Sequence, residues 1–260
     1  MLNITLAQYD LVYNAFSFTI AVMGAATVFA FLNRSQVAPA YRTAMTLTGI
    51  VTLIAGYHYF RIANSWEAAF IVEAGTMRLS GVGFNDAYRY VDWLLTVPLL
   101  LIELILVMRL SSAETVSKSV RLGLLAALMV ALGYPGEIAS DHGTRWLFFA
   151  LSMIPFSIIV YELFFGLRKS IENQPAEARG LINGACWLTI GSWSFYPVVF
   201  VLPMLGIEGG TANVAVQVGY TIADIVAKAV LGVLIYMIAV RKSAADGAYV
   251  SGALPIPARA

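Results

Sequence analysis

Arg89-Tyr90-Val91-Asp92-Trp93-Leu94-Leu95-Thr96-Val97-Pro98-Leu99-Leu100-Leu101-Ile102-Glu103 decides the class of this chain. The run is mostly leucine, valine and isoleucine, yet it holds one arginine and two carboxylates. Extended to Ala87 and Met108, it reaches the roughly 20 apolar residues that a helix needs to cross a hydrocarbon core. An ionisable residue inside such a span is expensive and is a functional candidate by default. Arg89, Asp92 and Thr96 follow one another at spacings of three and four, which places them on one helix face. Asp92 and Glu103 are eleven apart. At about 100° per residue they point within ~20° of the same direction, about 16 Å apart along the axis.

The rest of the chain agrees with a membrane reading. Of 260 residues, 60% are hydrophobic and 12% charged, about half the charged fraction of an average soluble protein. Seven spans are predicted: Leu11–Leu32, Thr43–Ile62, Ala87–Met108, Leu122–Ile138, Trp146–Leu167, Leu181–Leu205 and Val214–Val240. Long apolar runs without period-two alternation exclude a barrel. The fold class is therefore all-α, a seven-transmembrane-helix bundle. Residues 1–242 form the membrane domain. The small, polar stretch 243–260 reads as a disordered tail. Met1–Asp10 reads as a short native tail rather than a signal peptide. Between the second and third spans, Thr76–Gly83 alternates weakly and predicts a small hairpin.

Basic residues orient the bundle. Arg34, Arg42, Arg109, Lys118, Arg121, Arg168, Lys169, Arg179, Arg241, Lys242 and Arg259 flank one face. Arg61, Arg78 and Arg145 flank the other. The N-terminus is predicted outside and the C-terminus in the cytoplasm, so Asp92 lies outward of Glu103. A net charge of +1 gives no reason to expect a nucleic acid partner. A single cysteine, Cys186, excludes an intrachain disulfide, and His58 and His142 lack zinc-type spacing.

The last span adds Asp224 and Lys228, four apart and able to interact directly. A lysine near mid-span is poorly solvated as an ammonium, and a neutral amine is a good nucleophile toward an aldehyde. A protonated Schiff base formed there would need a carboxylate counterion, and both Asp92 and Asp224 are available. The plain alternative is a set of ion pairs that tie two helices together. His58, near a helix end, is by itself an ordinary polar residue.

These residues carry a family resemblance. The Arg89–Glu103 segment resembles the third helix of a proteorhodopsin, and Tyr220–Lys228 resembles the family's retinal-binding seventh helix. Trp193-Ser194-Phe195-Tyr196-Pro197, Gly56-Tyr57-His58-Tyr59-Phe60-Arg61 and Gly133-Tyr134-Pro135-Gly136-Glu137 resemble helices six, two and four. The likeness spans all seven helices and is closest to xanthorhodopsin-like proton pumps among the microbial (type 1) rhodopsins. It implies a light-driven outward proton pump of the cell inner membrane, a transporter and not an enzyme. All-trans retinal would be bound covalently to Lys228 as a protonated Schiff base, and no metal is implied. Asp92 would be counterion and proton acceptor, Asp224 the second counterion and Glu103 the proton donor. Arg89 would tune the outer cluster, Thr96 would complete the Asp-Thr-Glu pattern, and His58 would hydrogen-bond Asp92. Trp93, Trp193, Tyr196 and Pro197 would line the chromophore, and Leu100 falls at the colour-tuning position of a green absorber. The resemblance also implies a homo-oligomer, a pentamer or trimer.

Two departures from relatives matter. Some xanthorhodopsin relatives carry a glycine in helix five that opens a slot for a carotenoid antenna. Here that position is Phe149, which argues against an antenna. No paired glutamates stand near the outer ends of helices six and seven, where Glu208 is alone, so a localised release pair is not expected. The role of Glu137 stays open between a neighbouring protomer, a polar pocket and the aqueous boundary. The alternative function is a sensory photoreceptor acting through a partner, although sensors often lack a carboxylic acid at the Glu103 position. A sodium or chloride pump would replace Asp92 or Glu103.

Overall fold

Inside hydrocarbon no water can bond the backbone, so each apolar run must close its own hydrogen bonds as a helix. The computed structural model, which describes residues 4–73, 76–85, 87–207 and 209–247, contains seven long helices among those residues. They are α1 (Leu6–Asn33), α2 (Arg42–Ala69), α3 (Ala87–Met108) and α4 (Ser112–Ile138), then α5 (His142–Glu172), α6 (Ala176–Leu205) and α7 (Gly210–Ala245). The last three are not uniform. A π turn at Glu162–Gly166 interrupts α5, a break at Ser194 and a 3₁₀ end interrupt α6, and a π segment at Ile225–Val230 lies within α7.

Several helices outrun their predicted spans. α2 continues past Ile62 to Ala69, α4 starts at Ser112 rather than Leu122, and α7 continues to Ala245. Hydropathy marks only the part of a helix that lies in hydrocarbon, whereas the helix itself runs on to a cap or breaker. Such caps are present: Thr5 and Gln8 form a capping box on α1, Ser111 accepts from Glu114 N on α4, and Asp141 Oδ1 accepts from Thr144 N at 2.7 Å on α5. The start of α1 at Leu6 absorbs half of the expected N-terminal tail. Residues 248–260, which hold most of the expected C-terminal tail, lie outside the described residues, as does Glu208.

The predicted hairpin exists, but Thr76–Gly83 holds only its second strand. β1 (Phe70–Glu73) pairs antiparallel with β2 (Thr76–Leu79), directly after α2. Ile4 bridges to Met77, and Tyr9, Trp66 and Phe70 pack beneath the ribbon.

Consecutive helices from α1 to α5 pack as neighbours, and α7 closes the ring against α1, α2, α3 and α6. An odd number of crossings puts the chain ends on opposite faces, here named the N-terminal and C-terminal faces. Large apolar side chains cover the outside, among them Leu32, Phe18 and Trp187, while the buried interior holds Arg89, Asp92, Glu103, Asp224 and Lys228. That inversion is the arrangement a bilayer demands. Six of the helices are long and apolar enough to span it by composition alone. α2 falls short because it carries Arg42, His58, Arg61, Asn64 and Glu67, yet it is deeply packed along the stripe Thr48, Thr52, Ala55, Tyr59, Ile62 and Trp66.

Candidate functional site

α3 and α7 run in the same direction and bring their ionisable residues together. Lys228 Nζ donates to Asp92 Oδ2 at 2.6 Å and lies 3.0 Å from Asp224 Oδ1. All three residues are about 1% exposed. The two carboxylates differ in their surroundings. Asp224 accepts from Tyr59 Oη at 2.8 Å, Tyr196 Oη at 2.5 Å and Trp93 Nε1 at 3.3 Å, so both its oxygens are engaged. Asp92 Oδ1 is buried and has no hydrogen-bond partner. The π segment of α7 carries Lys228 itself; such bulges re-aim a side chain and recur at functional sites.

An apolar cavity ends on this cluster. Trp93, Leu100, Trp193, Tyr196 and Pro197 line it together with Lys228. Gly133, Met129, Phe156 and Phe200 extend it between α4, α5 and α6. At its amine end, Trp93 packs edge-on against Tyr196 with ring centroids 4.9 Å apart, and Tyr196 stacks on Tyr220 at 5.6 Å.

Of the remaining predicted residues, Arg89, Thr96 and Glu103 lie on α3 with Asp92, and His58 lies on α2. Arg89 is 2% exposed, three residues from Asp92 toward the N-terminal face, with its guanidinium 5.2 Å from the Tyr220 ring and 5.7 Å from the Phe16 ring. Thr96 Oγ1 donates to the Asp92 carbonyl at 2.8 Å, within its own helix. Glu103 is fully buried, accepts from Thr48 Oγ1 at 2.9 Å through one oxygen, and leaves the other without a partner. His58 differs from expectation. It is buried, but its Nδ1 pairs with the Ile54 carbonyl at 2.9 Å, and no hydrogen bond joins it to Asp92. The carbonyl four residues back in its own helix satisfies the ring first, and an edge-on contact with Tyr57 holds it there.

The sequence profile of the bacteriorhodopsin-like protein family matches residues 12–242. The chain belongs to that family. Among solved structures, xanthorhodopsin, a light-driven ion pump with dual chromophore, is 51% identical with a TM-score of 0.91, over 95% of this chain and 99% of that one. A thermophilic rhodopsin is 43% identical with a TM-score of 0.92, over 95% and 100% of the two chains. The green-light absorbing proteorhodopsin of Gamma-proteobacterium EBAC31A08 is 33% identical over 86% of this chain and 84% of that one. This is a type 1 microbial rhodopsin of the proteorhodopsin and xanthorhodopsin kind.

Within this rhodopsin, two residues of the site escaped the sequence reading. Tyr59 binds Asp224, and the signal for it in the sequence was the helical spacing Thr48, Thr52, Ala55, Tyr59 and Ile62, which puts Tyr59 on the stripe that α2 packs inward, beside the also buried His58. Tyr220 stacks on Tyr196 and under Arg89, one turn before Asp224. Glu137 is half-buried and accepts from Tyr90 Oη at 3.4 Å, which places it against α3 of its own chain. Phe149 stacks on Phe200 at 5.6 Å, and both rings line the cavity.

Proposed function

We propose that this rhodopsin is a light-driven outward proton pump. The observation that carries the reading is Lys228 Nζ set between Asp92 and Asp224 in the wall of an apolar cavity. The residues present fit retinal: the cavity is lined by aromatic and aliphatic side chains along its length, and its one buried amine faces two carboxylates. Lys228 would hold all-trans retinal covalently through Nζ, as a protonated Schiff base, with Trp93, Trp193, Tyr196, Pro197 and Leu100 packed along it. Bound there, retinal supplies visible absorption and a light-induced change of shape.

The chain's own groups then move the proton. Lys228 Nζ holds it at rest, stabilised by both carboxylates. Asp92 is the acceptor rather than Asp224, because Asp92 Oδ1 has no donor to lose, whereas both Asp224 oxygens already accept hydrogen bonds. Asp224, braced by Tyr59, Tyr196 and Trp93, remains the fixed counter-charge. Arg89 lies three residues from Asp92 along α3, toward the N-terminal face, and biases the accepted proton in that direction. Glu103 returns a proton to Lys228 Nζ from the C-terminal side and is refilled from that face. Among the described residues, the unpaired oxygen of Glu103 and its hydroxyl partner Thr48 suit a carboxyl that carries a proton at rest. His58 influences Asp92 through its position rather than through a bond.

Direction follows from orientation. The N-terminal face is assigned to the outside and the C-terminal face to the cytoplasm, because basic residues concentrate on the latter. Transport from Glu103 toward Asp92 is then outward, across a bacterial inner membrane. Illumination of cells that express the chain with all-trans retinal is expected to acidify the medium, and a protonophore should abolish the effect. A coloured pigment without a pH change would favour the sensory reading.

A further inference from the structure

At the C-terminal end of α3, a second buried lysine stands apart from the cluster just described. Lys242 is 4% exposed, although its place among the basic residues of a helix end would put it in solvent. Its Nζ donates to the carbonyls of Val107 at 3.0 Å and Met108, and to Gln174 Oε1 at 2.6 Å, so all three of its protons are used. The ammonium also sits 5.3 Å from the centroid of the Tyr41 ring. Tyr41 in turn donates to Asp246 at 2.6 Å, which pairs with Arg109 at 3.0 Å. One cation therefore joins the end of α3, the end of α7, the residue pair preceding α6 and the start of α2.

Its position relative to Glu103 gives this knot a purpose. Val107 and Met108 follow Glu103 by four and five residues, about 6–8 Å along the helix. Leu104, Met108, Ile235, Ile238 and Ala239 are fully buried in that stretch and set an apolar barrier between Glu103 and the face. A proton that enters toward Glu103 along α3 meets the Lys242 knot, and two effects oppose it. Opening the knot breaks charge-assisted bonds to helix-end carbonyls that carry partial negative charge. A fixed positive charge in a low-dielectric wall also repels an approaching cation.

We propose that Lys242 is the gate on proton re-entry, a positioning residue that keeps Glu103 sealed from the C-terminal face until α3, α6 and α7 separate. The proposal rests on the pump reading. The test removes the donor so that access alone is measured. In Glu103→Gln, Lys228 is reprotonated slowly from bulk solvent, followed by flash spectroscopy across pH. In the double variant Glu103→Gln, Lys242→Met, reprotonation should be about tenfold faster at each pH, the scale of one lost charge-assisted bond, and should rise with proton concentration. Glu103→Gln, Lys242→Arg should keep the slow rate. A purely structural lysine would lower thermal stability without changing the rate or its pH dependence, and that result overturns the gate. If the methionine variant yields no pigment, Glu103→Gln, Gln174→Leu removes one partner instead; faster refilling supports the gate and an unchanged rate overturns it. A wild-type chain that forms no photocycling pigment would overturn the pump reading itself, and the gate with it.

Discussion

Two carboxylates lie within 3.0 Å of one amine, and their hydrogen bonds divide the work between them. A carboxylate that accepts three donors has its charge held by them, while one with a bare oxygen can take a proton without losing a bond. Asp92→Asn should therefore stop light-driven pH change and red-shift the visible band, because the neutralised partner no longer stabilises the charge at Lys228. Flash spectroscopy and cell-suspension pH recording would check both; pumping that persists would move the acceptor role to Asp224. Lys228→Ala should abolish the covalent pigment altogether. An absorption band that survives denaturation in that variant would refute the attachment site.

At the scale of the helix, close approach and capping carry the energetics. Gly232 on α7 faces Thr48, and a Cβ there would collide with the threonine methyl. This glycine lets α7 press against α2 and sets Thr48 against Glu103. Gly232→Ala should cost about 1–3 kcal/mol by overpacking, and should disturb the kinetics of Lys228 reprotonation by shifting the Thr48 hydroxyl bonded to Glu103. Thermal bleaching of the pigment measures the first and flash spectroscopy the second. Asp141, at the start of α5 outside the span, has its carboxyl pulled below the usual range by hydrogen bonds from Thr144, backbone first. A depressed folded-state value means the cap stabilises above the unfolded carboxylate range and loses that effect as pH falls through the folded value. Asp141→Ala should lower the bleaching temperature at pH 7, with a gap from wild type that closes below about pH 4. A gap that stays constant across pH would mean that charge has no part in the cap.

At the scale of the molecule, the assignment of faces can be tested by chemistry. The one cysteine, Cys186, is buried, so a new surface thiol reports its own side. Ser112→Cys, exposed at the C-terminal face, should react with an impermeant maleimide only in inverted vesicles. His142→Cys, exposed at the N-terminal face, should react in intact cells. The reverse labelling pattern would invert the proposed direction of transport. The same inside-out logic explains why the outer surface holds Phe18, Leu32 and Trp187 while Arg89, Asp92, Glu103, Asp224 and Lys228 are buried within the bundle: lipid tolerates the former and excludes the latter.

Much of this was written in the chain itself. Hydropathy and helical spacing determined seven crossings and the shared face of Arg89, Asp92 and Glu103, because a bilayer leaves the backbone no other choice and a helix repeats regularly. The residue pattern of α3 and α7 likewise pointed to the family. Tertiary structure decided what periodicity cannot reach. It decided that Asp224 and not Asp92 receives Tyr59, Tyr196 and Trp93, since those partners come from three different helices. It turned His58 to its own backbone, extended α2 and α4 beyond the apolar core, and placed a π segment at Lys228. It also drew Lys242 inward from what reads as a solvated helix end. A side chain's partners across a bundle depend on how helices rotate and close on one another, and a one-dimensional pattern carries only the face, not the neighbour that meets it.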